Sequence, residues 1–343
     1  MAKQNEIGVL LIQLGTPDSP KRSHVRKYLT EFLNDPRVID INWLGRKLLV
    51  NGIIIPKRNR SSSKLYEELW EVGGGASPLV TNTELQREKL AERLKDQADV
   101  YVAMRYQFPS IPDVLHQMQK KNYKRIVVLP LFPQYASATT GSAVDKVMEV
   151  VRNWWVIPEV EVINQFWEND GYLNSLVENA KAMHPEQYDH ILFSYHGLPE
   201  RQVDKVHVEG NCKDHPCETE VNDENKFCYK ATCFATSREL AKRLSISDKD
   251  YTVCFQSRLG KGWIEPFSDG VITNLVKGGK KKLLCFSPAF VGDCLETLIE
   301  IGVEYQEIID ENGGGEIKLV PSCNGSDLFI SGLVDLLQPY LRK

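Results

Sequence analysis

Four cysteines stand close together in the polar, acidic stretch "NCKDHPCETEVNDENKFCYKATC", residues 211–233. Cys212, Cys217, Cys228 and Cys233 follow the spacing C-x4-C-x10-C-x4-C, two pairs on either side of an acidic loop. Thiolates at such short separation are typical ligands of zinc or of an iron–sulfur cluster. In a cytosolic protein, clustered cysteines more often bind metal or react than form disulfides. We therefore expect a metal or cluster site, with free thiols as the alternative.

A histidine at the end of an apolar run indicates a second kind of chemistry. His196 closes "HILFSYH", where the sequence predicts that a strand meets its turn. A neutral imidazole near pH 7 can accept a proton or bind a borderline metal ion. The alternative is a histidine that caps the turn by hydrogen-bonding the backbone.

An acidic stripe follows "SPAFVG". Apolar residues recur there at helical spacing, and carboxylates occupy another face of the same predicted helix: Asp293, Glu296, Glu300, Glu304 and Glu307. We expect the last two to form a solvated face. The first three begin the helix beside a strand end, and carboxylates with one imidazole suit a labile divalent ion or a proton relay.

Two further features involve basic residues. Arg105 and Tyr106 close another strand, and arginine is a natural partner for a substrate carboxylate, although a helix-capping or surface arginine is the common alternative. The segment 43–60, "WLGRKLLVNGIIIPKRNR", sets apolar side chains among basic ones. It is expected to line the mouth of an apolar pocket or to lie on a membrane surface. A buried helix with a basic end is the alternative.

Apolar, β-rich runs alternate with amphipathic stretches along the whole chain, which is typical of parallel sheets covered on both faces by helices. We predict two doubly wound, Rossmann-like α/β domains, residues 1–170 with the pocket-lip segment 43–60, and residues 171–343 with a cysteine-rich insertion at 207–233. The predicted strands are Ile7–Leu14, Asp99–Arg105, Arg125–Phe132, Val160–Phe166, His190–Tyr195, Tyr251–Gln256, Lys281–Phe286 and Ile317–Pro321.

Six unusual loops directly follow predicted strands: "LGTPDSP", "MRYQFPS", "LPLFPQYASATTGS", "SYHGLP", "FQSRLGKGW" and "FSPAFVGDCLE". Doubly wound folds bind ligands outside the carboxyl ends of their strands, so these loops predict one large site in a cleft between the domains. Ordinary strand–helix turns, which also favour Gly and Pro, are the alternative.

Composition limits the classes of function. The chain has 343 residues, 42% hydrophobic and 26% charged, with a net charge of −4. Two domains are expected at this length, and nucleic acid is not expected as a partner. No run approaches the roughly 20 apolar residues of a membrane span, and the first apolar run lacks a signal-peptide cleavage site, so we expect a cytoplasmic protein. Cys254 and Cys285 lie in strand-like runs and are interpreted as buried small hydrophobes.

Eight motifs, in order along essentially the whole chain, carry a family resemblance: "LIQLGTPDS", "GGGASPLV", "MRYQFPS", "LFPQYASATTGS", "LFSYHGLPER", "CYKATCFATSRELAKRL", "FQSRLGKGWIEPFSDG" and "PAFVGDCLETLIEI". By these motifs the chain resembles ferrochelatases, lyases that insert ferrous iron into a porphyrin in haem synthesis. The resemblance implies two similar type II chelatase domains around a porphyrin cleft, with Fe2+ and porphyrin as substrates.

The resemblance also implies roles for matching residues. His196 is the expected metal-side histidine that removes pyrrole protons, and Glu296 is the glutamate opposite it. The expected acidic path on the same helix is Asp293 and Glu300. Arg105 and Tyr106 match a metal- and substrate-side pair. The residues that match porphyrin-lining positions are Leu14, Gln256, Ser257 and Trp263.

Some ferrochelatases carry a [2Fe–2S] cluster, and certain bacterial members have cysteines in an internal insertion that this chain resembles. The resemblance therefore implies a cluster at Cys212, Cys217, Cys228 and Cys233, while the x4 spacing also admits zinc.

The resemblance makes protoporphyrin the default substrate, with coproporphyrin as the alternative. A related chelatase for cobalt or nickel, or a non-catalytic sensor of haem or iron–sulfur clusters, would also fit the chelatase scaffold. A nicotinamide or flavin enzyme is disfavoured, because no G-x-G-x-x-G follows the first strand. The sequence does not predict an oligomeric state. The only membrane contact that we expect is peripheral, at the inner face of the membrane.

Overall fold

The computed structural model describes residues 5–258 and 260–342. Within this part of the chain the strands are β1 Ile7–Gly15, β2 Asp99–Tyr106, β3 Arg125–Pro130, β4 Glu159–Val162, β5 His190–His196, β6 Tyr251–Gln256, β7 Lys282–Phe286 and β8 Glu316–Leu319. Most begin and end within one or two residues of the predicted bounds. The edge strand β4 is shorter than predicted and ends at Val162.

The α-helices are α1 Arg22–Leu33, α2 Trp43–Leu49, α3 Ile55–Val72, α4 Pro78–Leu94, α5 Ile111–Lys121, α6 Ser142–Val151, α7 Asp170–Lys181, α8 Glu200–Asp204, α9 Tyr229–Leu244, α10 Ser268–Lys277, α11 Tyr305–Glu311 and α12 Asp327–Leu341. Three stretches are π-helical: Val50–Ile54, Ser137–Gly141 and Glu296–Glu304. Three short 3-10 turns are Pro185–Gln187, Cys212–Asp214 and Asp248–Asp250.

The strands form two parallel sheets of four, in the orders β2-β1-β3-β4 and β6-β5-β7-β8. The two orders are the same topology used twice, which confirms the prediction of two doubly wound α/β sheets. The central strands β1 and β5 are buried almost along their full length, as apolar strands covered on both faces must be. Cys254 and Cys285, on β6 and β7, are fully buried as predicted.

Each sheet has its own apolar core. In the first, side chains of the sheet pack against α5 and α6, with Leu10, Leu115 and Val147 fully buried. In the second, they pack against α10 and α11, with Leu192, Ile272 and Ile309 fully buried. At about 1.5–3 kcal/mol for each fully buried large apolar side chain, these clusters supply the main stabilisation of each sheet.

By internal contacts the chain divides into two compact units. The first comprises Met1–Phe132, Ser137–Gln165 and Leu333–Lys343, and the second comprises Pro133–Ala136 and Phe166–Gly332. The expectation that the second domain runs to the chain end is therefore corrected, because α12 is divided between the units. Its last turns are held in the first unit, where Arg125 Nη1 donates to the Tyr340 carbonyl at 2.7 Å.

The segment 43–60 belongs to one helical run that passes through α2, the π-helical stretch and α3. Val50 and Ile55 are buried against Leu33, which fixes one face of the run. Four apolar side chains on the run are instead half or more exposed: Trp43 at 65%, Leu44 at 60%, Leu48 at 66% and Ile53 at 50%. The run is therefore buried on one face only and presents apolar side chains on the other. Among the described residues, no helix combines the length and the apolar composition needed to cross a bilayer.

A buried ionic network fixes the carboxyl end of β2. Arg105 pairs with the Asp35 carboxylate, and their side chains are 11% and 2% exposed. Tyr106 Oη donates to the same Asp35 oxygen at 2.9 Å, and Arg105 Nε donates to Ser142 Oγ at 2.7 Å. Burial acts to raise the pKa of Asp35. Hydrogen bonds from Ser142 and the Arg37 backbone, with the charge of Arg105, outweigh burial and leave that pKa below its ordinary value.

We predict that Arg105→Met destabilises the protein by about 3–5 kcal/mol, because it leaves the Asp35 carboxylate buried without its cation. The measurement is the urea unfolding midpoint. The control is the double variant Arg105→Met/Asp35→Asn, which removes both charges and should recover most of the loss. Equal loss in the single and double variants would contradict a role for the ion pair.

The same carboxylate gives a pH dependence. Since the folded-state pKa of Asp35 is lowered, its stabilisation is complete above the unfolded value of 3.8 and is lost as pH falls through the folded pKa. The stability difference between wild type and Asp35→Asn should therefore shrink as the pH of the urea titration falls from 6 to below 3.8. If the stability difference between wild type and Asp35→Asn did not change with pH, the Asp35 carboxylate would not be the source of the pH dependence.

Candidate active site and metal-binding group

The predicted site residues of the second unit lie at the carboxyl edge of its sheet. His196 is the last residue of β5, and Gln256, the last residue of β6, is its strand partner. The acidic helical run follows β7, the strand on the other side of β5. Because the strands are parallel, all three chain segments leave the sheet at one edge.

One hydrogen bond determines which nitrogen of His196 is free. Nδ1 lies 2.7 Å from the carbonyl oxygen of Gly197. A carbonyl can only accept, so Nδ1 carries the proton and the neutral ring keeps its lone pair on Nε2. The imidazole is partly exposed. His196 therefore does hydrogen-bond the backbone, as the predicted alternative had it, but only through Nδ1. Nε2 remains available as an acceptor.

Gly197 allows a close approach directly after His196. Its backbone N–H donates to the Gln256 carbonyl at 2.8 Å, and a Cβ at this position would lie 2.7 Å from that oxygen. The same Cβ would lie 3.3 Å from the ring of Trp263. Only glycine fits between these groups, so the turn that orients His196 is tightly specified.

Hydrogen bonds join the end of β6 to the acidic helical run. Ser257, in the left-handed region with φ 63°, donates to the Glu300 carboxylate, and Gln256 Nε2 approaches the same oxygen at 3.4 Å. Gln256 Oε1 accepts from Ser194 at 2.9 Å, and Tyr305 Oη lies 2.9 Å from the Ser194 hydroxyl. Burial raises the pKa of Tyr305 well above its ordinary value, so it remains a donor. Gln256, Ser257 and Glu300 are thus brought together by direct contacts, and two residues that the sequence did not single out, Ser194 and Tyr305, fix the Gln256 side chain.

The acidic run is π-helical over nine residues, Glu296–Glu304. The sequence predicted an ordinary helix here, because apolar and acidic residues recur at three- and four-residue steps, the period of an α-helix. A π-helix is rare, and it occurs frequently at functional sites. Glu296 and Glu300 are partly buried, whereas Glu304 and Glu307 are exposed. The prediction that the last two form a solvated face is confirmed.

Asp293 lies just before the π-helix and is 9% exposed. Its carboxylate accepts from the Asn324 amide at 2.6 Å and from the Ser322 backbone N–H at 3.2 Å. These donors fix the carboxylate in position, and Asn324 is a partner that only the tertiary structure reveals.

Three predicted substrate residues lie in the first unit. Leu14 lies near the end of β1 and is partly buried. Arg105 and Tyr106 are held in the Asp35 network described above. Their contacts with substrate stay predictions.

Three of the four cysteines lie together with a histidine. The side chains of His207, Cys212, Cys217 and Cys228 are buried, and one ligand atom from each lies within 4.8 Å of the others. We refer to these four residues as the Cys3His group. The Sγ atoms of Cys212 and Cys228 are 3.5 Å apart, and His207 Nε2 lies 3.9 Å from Cys217 Sγ. The positions of these side chains thus support the predicted metal-binding site, and they add His207 to its candidate ligands.

Cys233 is not part of the Cys3His group, which corrects the expected ligand set. Cys228 is the N-cap of α9, and Cys233 lies inside that helix with no exposed surface. A separation of five residues turns a side chain by about 140° in an α-helix, so the two thiols point to different sides. The x4 spacing suggested a pair that the helix separates. His207 was missed because a lone histidine ahead of the cysteines carries no spacing signal.

The Cys3His group is linked to His196 through α9. Tyr229, the residue after Cys228, donates from Oη to the His196 carbonyl at 3.0 Å. Its side chain is buried, so this hydrogen bond is shielded from water. The position of His196 therefore depends in part on how the start of α9 is held.

Comparison with known proteins decides the family. The family model described as Ferrochelatase matches residues 6–341. A ferrochelatase of Coxiella burnetii (strain Dugway 5J108-111) is 42% identical over 348 aligned positions, which cover 98% of this chain and 95% of that protein. A ferrochelatase of Legionella pneumophila (strain Lens) is 39% identical, over 96% of this chain and 98% of the relative.

The chain belongs to the ferrochelatase family. The resemblance carried by the eight motifs is confirmed, and so is the enzyme class, a lyase that inserts iron into a porphyrin in haem biosynthesis. The solved structure of SirB from Bacillus subtilis with Fe3+ is similar in fold, with a TM-score of 0.53, 9% identity, and coverage of 97% of this chain and 94% of SirB. At that identity the likeness speaks for the type II chelatase fold alone.

Proposed function

We propose that His196 is the base that accepts a pyrrole proton while this ferrochelatase inserts Fe2+ into protoporphyrin. The observation that carries the proposal is the Nδ1–H donation to the Gly197 carbonyl, which leaves the Nε2 lone pair available. A base needs a free lone pair in a fixed direction, and this hydrogen bond fixes both the ring and the position of its proton.

The reaction releases two protons for each iron inserted, because the two pyrrole N–H groups are replaced by bonds to the metal. His196 Nε2 accepts one of them. Glu296 and Glu300 lie on the π-helix that follows the neighbouring strand, and their carboxylates can accept and pass on the protons. We propose that Asp293 extends this acidic path. Its carboxylate is held in position by the hydrogen bonds from Asn324 and the Ser322 backbone.

Protoporphyrin is proposed as the substrate, and the apolar parts of the macrocycle are proposed to contact Trp263 and the residues after β6. The experiment is anaerobic. The protein is mixed with Fe2+ and either protoporphyrin or coproporphyrin, and porphyrin fluorescence is followed. Loss with protoporphyrin, together with a haem spectrum, supports the proposal, and turnover of coproporphyrin alone would contradict the choice of substrate.

We predict that His196→Ala slows metal insertion by on the order of 10²- to 10⁴-fold, the usual contribution of a general base, while porphyrin still binds. The matched control is Glu307→Gln, which removes an exposed carboxylate from the next part of the same helical run and should leave the rate unchanged. Near-normal turnover by His196→Ala would refute the role of His196.

Tyr229 is proposed as a positioning residue for His196. Tyr229→Phe removes only the hydroxyl that donates to the His196 carbonyl. Loss of one such hydrogen bond costs about 0.5–1.5 kcal/mol, so kcat should fall roughly 2- to 10-fold with little change in KM for porphyrin. Unchanged kcat, or a rise in KM alone, would show that Tyr229 does not act through His196.

The exposed apolar side chains of the segment 43–60 support a peripheral contact with the inner face of the membrane, in a cytoplasmic protein. Trp43 and Leu48 project from a run that also carries basic residues, a combination typical of helices that lie at a lipid surface.

We predict that the protein co-sediments with vesicles rich in anionic lipid and that Leu48→Glu abolishes the association. Leu85→Glu changes another exposed leucine, on α4, and should have no effect. Equal vesicle binding by Leu48→Glu and wild type would refute the contact. A raised KM for porphyrin in Leu48→Glu, without any vesicle binding by wild type, would instead assign the segment to the pocket mouth.

We also propose that the Cys3His group holds a resident metal with a structural role. Iron remains ferrous throughout chelation, so the reaction requires no electron transfer. Through Cys228 and Tyr229 the group is connected to the His196 backbone. A bound metal would therefore influence the position of His196 without taking part in the reaction.

A further inference from the structure

The donor atoms of the Cys3His group are spaced as ligands of a single small ion. All four lie within 4.8 Å of one another, and two of the separations are 3.5 and 3.9 Å. Zinc takes sulfur at about 2.3 Å and nitrogen at about 2.0–2.1 Å, so tetrahedral ligands are separated by about 3.5–3.8 Å. The Cys212–Cys228 separation of 3.5 Å and the His207–Cys217 separation of 3.9 Å are close to these edges, and no other separation in the group exceeds 4.8 Å.

A two-iron cluster makes a different demand on the protein. Each iron of a [2Fe–2S] centre takes two protein ligands, and bridging sulfides hold the irons apart. The four ligands must then form two pairs with a wider gap between the pairs than within them. In the Cys3His group no separation between donor atoms exceeds 4.8 Å, which leaves little room for two irons and their bridging sulfides. The fourth thiol that an all-cysteine cluster would require, Cys233, is buried inside α9.

His207 is buried and its ring is fixed in position. The side chain is 8% exposed, and Nε2 is the ring nitrogen that lies near Cys217 Sγ. The imidazole is held in place by stacking on His215, with ring centroids 4.3 Å apart.

The loop around the group is already organised by hydrogen bonds. Asp204 accepts from the Cys212 backbone N–H at 2.9 Å, and the Asn225 side chain donates to Cys217 Sγ at 3.7 Å. A donor placed on a ligand sulfur helps to fix the orientation of that ligand. Residues 205–228 contain no strand, and a metal would add a crosslink to the hydrogen bonds, ion pairs and ring contacts that hold them.

We propose that the Cys3His group binds one tetrahedral Zn2+ ion, with His207 as a ligand and Cys233 outside the coordination sphere. The ion joins the loop after α8 to the N-terminus of α9. This assigns the cysteine-rich insertion to a mononuclear structural site instead of the [2Fe–2S] cluster that the sequence resemblance implied. It does not depend on the role proposed for His196.

The test is the metal content of the full chain, purified anaerobically from cells supplied with both iron and zinc. The proposal predicts about one zinc per chain, no acid-labile sulfide and no visible charge-transfer bands. Replacement by Co2+ should give the absorption of a tetrahedral site with thiolate ligands. Two irons and two sulfides per chain would overturn the proposal of a zinc site, and so would a folded protein without any bound metal.

Ligand variants separate the two arrangements directly. His207→Ala should lose the zinc, His207→Cys should restore it with four sulfur ligands, and Cys233→Ala should keep it. An all-cysteine cluster predicts the reverse, with metal lost in Cys233→Ala and kept in His207→Ala. The readout is bound metal, so it is independent of chelatase activity. His207→Cys and Cys233→Ala keep the test decisive if His207→Ala fails to fold.

Discussion

Parallel pairing of β5 with β6 and β7 is the constraint on which the second unit depends. Parallel strands place all their carboxyl ends on one edge, so three loops that are far apart in sequence begin side by side. His196, Gln256 and the acidic π-helix owe their common location to this pairing. Antiparallel pairing would have sent neighbouring loops to opposite edges of the sheet.

Hydrogen bonds between buried or partly buried side chains then fix the arrangement of the candidate site at this edge of the sheet. Gln256 is the centre of the network, since it accepts from Ser194, approaches Glu300 and pairs with the strand residue His196. Tyr229 Oη donates to the His196 carbonyl. The polar groups next to the candidate base in the fold are therefore engaged with one another, while the Nε2 lone pair of His196 remains available. Fixed groups of this kind reduce the reorganisation that a proton transfer requires.

Much of the fold could be predicted from the sequence, because apolar runs of six to nine residues flanked by turns mark buried parallel strands with little ambiguity. His196, Gln256 and Ser257 could be located because each lies at a predicted strand end. The π-helical form of Glu296–Glu304 could not be predicted, since its side chains recur at the period of an α-helix. The ligand set was predicted with Cys233 and without His207 for a related reason. Spacing along the chain does not show how a helix rotates one thiol away from another. The division of α12 between the units depends on tertiary contacts alone.

The central claim is that the neutral His196 ring carries its proton on Nδ1 and has a free Nε2. Nitrogen-15 NMR of histidine-labelled protein measures this tautomer directly, and the chain has seven histidines, so a His196→Gln spectrum assigns the signal. The account predicts that the neutral ring of His196 is protonated at Nδ1, with the Nε2 resonance moving when porphyrin binds. A neutral ring protonated at Nε2 would contradict it, because that nitrogen could then accept nothing.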